Sequence, residues 1–332
     1  MMKDETAQEG LDKETIRLKI VEHTNRFPIR PIRIVSDTSE FMAIEHGDVV
    51  VLGGKAFLVL GNAHEGRFGL DEQPKFWVKR AIDLNDGRKK IIKLMFSEST
   101  KFKFGPFVFK CVRSGAKESQ LLELARGDLR FMQGYTVRDE KQNIVRVIDL
   151  IPGPNLYDYL ASMYRMPHEE YFFQHYPALL KRMVSAIEGI KHIHEKGMCH
   201  GDIRVDHIIV DRETGDFRWI DFDLQQHSLD FDVWSMGNAI IFLAGKGEVT
   251  FHGLRRGDYG AASKFDVDDS DASAFFPHRI ANIRRVYPYI PEQLNNIFVK
   301  YTKKAQEEFN HYKSIFLLHE DIKDFVECWC DK

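Results

Sequence analysis

The chain has 332 residues, and 47 Lys+Arg against 50 Asp+Glu leave a formal net charge of −3, which excludes a global basic field for nucleic acid or an anionic membrane. Hydrophobic residues at 43% and aromatics at 12% exclude wholesale disorder, and the length suits two domains or lobes. Four cysteines (Cys111, Cys199, Cys328, Cys330) are too few for a disulfide framework and are expected to be reduced thiols. The opening MMKDETAQEG carries no secretory pattern. The longest apolar run, Asn238 to Ala244, is far below the ~20 residues of a spanning helix, so a soluble cytoplasmic protein is expected.

Residues 1–40 read as an N-terminal extension, charged up to about residue 15 and without an assigned role. Two apolar runs, 48–52 and 55–60, flank Gly53-Gly54 and predict a hairpin. Runs at 76–82 and 90–95 flank Asn85-Asp86-Gly87 and predict a second. Lys117 to Arg126 has helical spacing at Leu121, Leu124 and Ala125; strands are expected over 129–136 and 143–150. Residues 41–150 thus form a small antiparallel sheet carrying one helix. Ile151-Pro152-Gly153-Pro154-Asn155 interrupts any regular element and starts a second, mainly helical region, 151–332. Its predicted parts are a long amphipathic helix from Tyr176 to Lys196, short strands at 207–211 and 217–221, a buried helix from Asp232 to Leu243, and a helical tail over 291–325. The fold class is α+β.

The densest polar cluster runs from Cys199 to Asp223. A hairpin joining its ends should bring Asp202, His207 and Asp221 to one edge, although they lie up to 19 positions apart. Converging carboxylates are costly unless a cation or a reacting proton uses them. Hard carboxylate oxygens suit Mg²⁺, which usually arrives with substrate phosphates. The alternative is a structural turn held by ordinary Asp hydrogen bonds.

These residues resemble the protein-kinase-like superfamily over roughly residues 50–325. His200-Gly201-Asp202-Ile203 is similar to the catalytic loop H-R-D-x-x-x-x-N, with Gly in the Arg position. Asp221-Phe222-Asp223 resembles D-F-G, and Asp232-Val233-Trp234-Ser235-Met236-Gly237 resembles the D-x-W-S-x-G opening of the central helix. The resemblance implies a bilobal fold with ATP between the lobes, Asp202 as catalytic base and Asp221 as metal ligand for Mg²⁺ or Mn²⁺. Ile91-Ile92-Lys93 resembles V-A-I-K, which makes Lys93 the phosphate contact; Lys89 and Lys90 are rivals. Glu118 resembles its ion-pair partner, with Glu123 as the alternative. Asp149 to Leu156 is similar to the hinge E-Y-I-P-G-x-x-L, whose backbone at Asp149 and Ile151 meets adenine. The phosphate-covering loop falls at Gly61 to Gly69, with Gly61 and Gly66 as candidates, but its spacing is neither G-x-G-x-x-G nor Walker A; a plain flexible loop is the other reading.

Departures shape the expected function. His207 takes the metal-binding Asn position, and imidazole prefers softer metals, so Asp223 is a candidate substitute ligand. Only ten residues separate Asp221 from Asp232, which leaves no conventional activation segment. His311 occupies the position of the Arg that pairs with that segment. The expected function is ATP-dependent phosphorylation of Ser/Thr on a protein or on the chain itself. A nucleotide-binding pseudokinase scaffold and a small-molecule kinase are the alternatives. Asp266 to Asp271 lacks the Gly and Glu of a calcium loop, and Cys328-Trp329-Cys330 has no second pair for zinc. His192, His194 and His252 read as ordinary core or surface residues.

Overall fold

A computed structural model describes residues 12–65, 73–96, 99–104, 107–225, 229–260 and 266–329. The chain forms two compact units. The first comprises Met1–Glu98, Arg113–Gly127 and Met132–Leu150; the second comprises Ser99–Val112, Asp128–Phe131 and Ile151–Lys332.

In chain order the first unit holds α1 (Lys13–Thr24), β1 (Ile34–Val35), β2 (Val49–Leu52), β3 (Lys55–Glu65), β4 (Gln73–Asp83) and β5 (Lys89–Lys93). A hairpin of β6 (Ser99–Phe104) and β7 (Phe107–Arg113) follows, most of it in the second unit; the first unit resumes with α2 (Gly115–Leu124), β8 (Gly134–Arg138) and β9 (Ile144–Asp149). The sheet order is β1-β2-β3-β4-β5-β9-β8, and only β1 and β2 pair in parallel. Gly53 and Gly54 both sit at positive φ (56° and 76°), as a two-residue turn between right-twisted strands requires.

Strand alternation sends side chains to two faces. Val50, Leu52, Phe57, Val59, Ile92, Val145 and Val147 pack on one; Val49, Ala56 and Leu58 join Leu84, Ile16 and Ile20 on the other. Helix α1 therefore covers the sheet, so part of the expected extension belongs to the core. Asp12 caps α1, accepting from the Glu14 and Thr15 N–H groups at 2.9 Å. The strand expected from Leu129 begins only at Gly134; β1, β6 and β7 were not expected.

The second unit contains α3 (Leu156–Ala161), α4 (His168–Gln174), α5 (Tyr176–Glu195), β10 (Ile208–Val210), β11 (Phe217–Trp219), β12 (Leu224–Gln225), α6 (Leu229–Ala244), α7 (Phe251–Arg256), α8 (Glu292–Val299), α9 (Lys303–Glu307) and α10 (Ile315–Trp329). The Pro-Gly-Pro break is tied to β10: Val210 N–H donates to Pro154 O at 2.9 Å and Arg212 N–H to Pro152 O at 2.7 Å. Gly153, at φ +154°, leaves room for Val210 O where a Cβ would stand. Helix α5 buries Leu180, Met183, Ile187, Ile190 and Ile193, and α10 packs along it. The expected helical tail is three helices, broken at 300–302 and 308–314. Strand β12 joins β7 and β6 in a three-stranded sheet, order β12-β7-β6. Protein cations pair with part of the acidic 266–271 stretch: Asp269 with Lys303, and Asp266 and Asp271 with Arg285. Among the described residues no helix is long and apolar enough to cross a membrane.

Candidate active site

In the first unit, register places Lys93 of β5 directly opposite Arg146 of β9. Residues opposite each other share a face, and both cations reach Glu118 in the first turn of α2. Lys93 Nζ lies 2.6 Å from Glu118 Oε1, and Arg146 Nε lies 3.0 Å from Oε2. Glu118 has no exposed surface. Ser114 starts α2 by accepting from Lys117 N–H, and Leu121 and Leu122 bury the helix's apolar side. The alternative Glu123 is exposed and pairs with Arg126. Of the rival lysines, Lys90 pairs with Asp149 and Lys89 is exposed.

Asp149 N–H donates to Gln133 O at 2.8 Å, so a backbone contact from Asp149 to a nucleotide falls to its carbonyl. Gly61 sits in β3 at φ +129°, where the β3–β4 register shifts, a conformation that favours glycine. Gly66 lies outside the described residues.

In the second unit, Asp232 in the first turn of α6 is wholly buried and holds the Cys199–His207 loop from beneath. Its Oδ2 accepts from His200 N–H at 2.6 Å and lies 3.0 Å from His194 Nε2; its Oδ1 accepts from Gly201 N–H at 2.8 Å. A carboxylate only accepts here, so His194 donates through Nε2–H. Burial alone raises the Asp232 carboxyl, but the His194 hydrogen bond, the neighbouring His200 and the Gly201 N–H hold it below the ordinary carboxylate value. Gly201 lies at φ +85°, a left-handed conformation that glycine meets without strain and an arginine would not. Phe222 is buried edge-to-face against His200 and Phe131, at 5.4 and 5.9 Å between ring centroids.

His207 stands between two carboxylates. Its Nδ1 is 2.8 Å from Asp202 O and 3.6 Å from Asp202 Oδ2; its Nε2 is 3.6 Å from Asp221 Oδ2. The Asp202 carbonyl can only accept, so Nδ1 carries the proton and Nε2 faces the Asp221 carboxylate. That gap suits a proton or a cation, because two lone-pair bearers otherwise oppose each other. Asp221 itself is at φ +65°, a rare conformation for a non-glycine residue and frequent at functional sites. Asp202 keeps 18% of its side chain exposed.

Asp202, His207 and Asp221 do come to one edge as expected, in a row with the imidazole between the two carboxylates. Among the described residues no group of three or more His, Cys, Asp and Glu side chains is arranged to hold a metal ion. Asp221, His207 and Asp223 therefore form no three-ligand cage, and Asp223 is buried. His311, in the expected Arg position, packs its ring 5.2 Å from Trp234.

Two contributors escaped the sequence reading. The signal for Arg146 is a lone cation in an otherwise apolar strand, Ile144-Val145-Arg146-Val147-Ile148. His194 lies on the apolar face of α5, where only its spatial meeting with Asp232 marks it.

No protein-family model matches the chain. Over 90 residues it is 27% identical to the Probable serine/threonine-protein kinase HSL1 of Saccharomyces cerevisiae; the stretch is 27% of this chain and 5% of the yeast protein. Among solved structures it is similar to the Mycobacterium tuberculosis PknI kinase domain, with a TM-score of 0.49, 12% identity, 85% of this chain and 98% of that one covered. By its own element order and buried Lys–Glu pair, the fold is protein-kinase-like.

Proposed function

We propose that the chain is an ATP-dependent phosphotransferase that moves the γ-phosphoryl group to a Ser or Thr hydroxyl of a protein or of itself. The observation that carries this reading is the loop bolted to buried Asp232, which sets a partly exposed Asp202 beside His207. A backbone fixed at His200 and Gly201 leaves Asp202 little freedom, and phosphoryl transfer depends mostly on such positioning.

Lys93, steadied by Glu118, binds the α- and β-phosphates. Gly61, in β3, lies over them, and the Asp149 carbonyl and Ile151 N–H meet the adenine edge. Mg²⁺ or Mn²⁺ would be held by the Asp221 carboxylate, with phosphate oxygens and water completing its shell, and the neighbouring His207 Nε2 suits Mn²⁺ better than Mg²⁺. Such an ion would supply positive charge against the phosphates. Asp202 accepts the acceptor hydroxyl's proton as that oxygen bonds to phosphorus and the P–O bond to ADP breaks. The protein acceptor follows the kinase-type D-x-W-S-x-G helix and the name of the yeast relative.

The competing reading, a nucleotide-binding scaffold without turnover, draws on His207 in the Asn position. Transfer of labelled phosphate from ATP with Mg²⁺ or Mn²⁺ tests the two. Asp202→Ala should lower transfer at least 100-fold and keep ATP-dependent thermal stabilisation. Stabilisation by ATP without transfer under any metal favours the scaffold; transfer only to a small alcohol favours a small-molecule kinase.

A further inference from the structure

The Lys93–Glu118 pair has a third member that the proposed chemistry does not use. Arg146 is 2% exposed and donates through Nε to Glu118 Oε2 at 3.0 Å. Its Nη1 donates to Ile144 O at 3.2 Å and lies 3.4 Å from Leu94 O, so one guanidinium is pinned to both β5's end and β9. A buried arginine in the middle of a strand is costly unless its charge and donors are matched. The first turn of α2 is also the end of a helix dipole that disfavours cations. Glu118 answers both.

The helix is cut to admit the guanidinium. A Cβ at Gly115, the first residue of α2, would stand 2.6 Å from Arg146 Nη1 and 3.2 Å from Cζ. Glycine there removes the obstruction. Glu118 thus has one partner that must also serve phosphate, Lys93, and one that is always charged and enclosed, Arg146.

We propose that Arg146 is a positioning residue that keeps Glu118, and α2 with it, docked on the sheet independently of Lys93. In the phosphotransferase reading, on which this role in the reaction rests, the Lys–Glu arrangement is then preformed, with no activation segment needed to assemble it. Lys93 can turn toward phosphate without releasing the helix.

Hydrogen–deuterium exchange of α2 amides in the full chain tests the proposal without requiring turnover. Lys93→Met should leave α2 protection within about threefold of wild type. Arg146→Met should lower it at least tenfold, and Arg146→Lys, which restores charge but not the fork, should recover part. Gly115→Ala, which crowds the guanidinium and keeps every charge, should lower it as well. Equal loss in Lys93→Met and Arg146→Met, or no loss in Arg146→Met, overturns the proposal. Should Arg146→Met not fold, unchanged α2 protection in Gly115→Ala overturns it. In the kinetic arm, Arg146→Lys should lower kcat at least threefold while KM for ATP moves less than threefold; an unchanged kcat overturns the catalytic consequence. A wild type that transfers no phosphate removes the enzymatic reading alone, because the exchange comparison still decides the role of Arg146.

Discussion

Asp232→Asn exchanges one carboxylate oxygen for an amide nitrogen at almost no change in volume, yet the geometry predicts a large effect. Asp232 offers two oxygens to three donors: His200 N–H, Gly201 N–H and His194 Nε2–H. Asparagine keeps one oxygen and turns the other into a donor. Whichever way the amide sits, at least one backbone N–H loses its acceptor and meets an N–H instead. One buried unsatisfied group costs about 1–3 kcal/mol, and exchanging charged for neutral hydrogen bonds removes about 1 kcal/mol from each that survives. A total of about 3 kcal/mol corresponds to a Tm drop of about 6–12 °C for a unit of this size. Differential scanning calorimetry at pH 7 reads it directly. The Asp232 carboxyl is held low in the folded state, so its contribution is complete above the unfolded carboxylate pKa and is lost as pH falls through the folded one. The gap between variant and wild type should therefore narrow on acidification below pH 4. A variant within 1 °C of wild type at pH 7, or a gap that widens in acid, would refute the reasoning.

Gly237→Ala in α6 sets helix propensity against packing. Alanine gains about 1 kcal/mol in a helix interior, but its Cβ would overlap the buried Tyr301 ring, and such overpacking costs about 1–3 kcal/mol or more. A net loss of about 2 kcal/mol is expected in urea unfolding; a neutral or stabilised variant contradicts the packing. His168 accepts from Tyr289 O–H at 2.6 Å and donates to Ala244 O at 2.9 Å, while its ring stacks 3.5 Å from that of Tyr287. Burial pulls its pKa from 6.5 to about 4. The folded state thus takes up this proton later than the unfolded chain, so stability falls as pH drops from about 6.5 to 4, at roughly 1.4 kcal/mol per pH unit. His168→Phe should flatten that part of a urea-midpoint series, and an identical slope in both proteins would count against it.

What the sequence revealed follows from which signals are local. The two N-terminal hairpins announce themselves through Gly53-Gly54 and Asn85-Asp86-Gly87, and α5 and α6 through apolar spacing, because turn chemistry and periodicity are written within a few residues. Helix α1 was hidden: only Ile16 and Ile20 are buried among charged neighbours, and its worth comes from Ala56, Leu58 and Leu84. Hairpin β6–β7 was equally obscure, since its partner β12 lies more than a hundred residues downstream. At the candidate site, residue types pointed to Asp202, Asp221, Lys93 and Glu118. They could not show that His207 would stand between the two carboxylates, nor that Arg146 would share Glu118, because both depend on register and loop geometry.

Hairpin β6–β7 has a bearing on how this chain tolerates change. In linear order it resembles a dispensable insertion between the lysine strand and the glutamate helix. Yet β12, which begins immediately after Asp223, has β7 as its ladder neighbour. Trimming that ornament would strip main-chain hydrogen bonds from the stretch beside Asp221, so a shortened protein would carry its damage far from the cut.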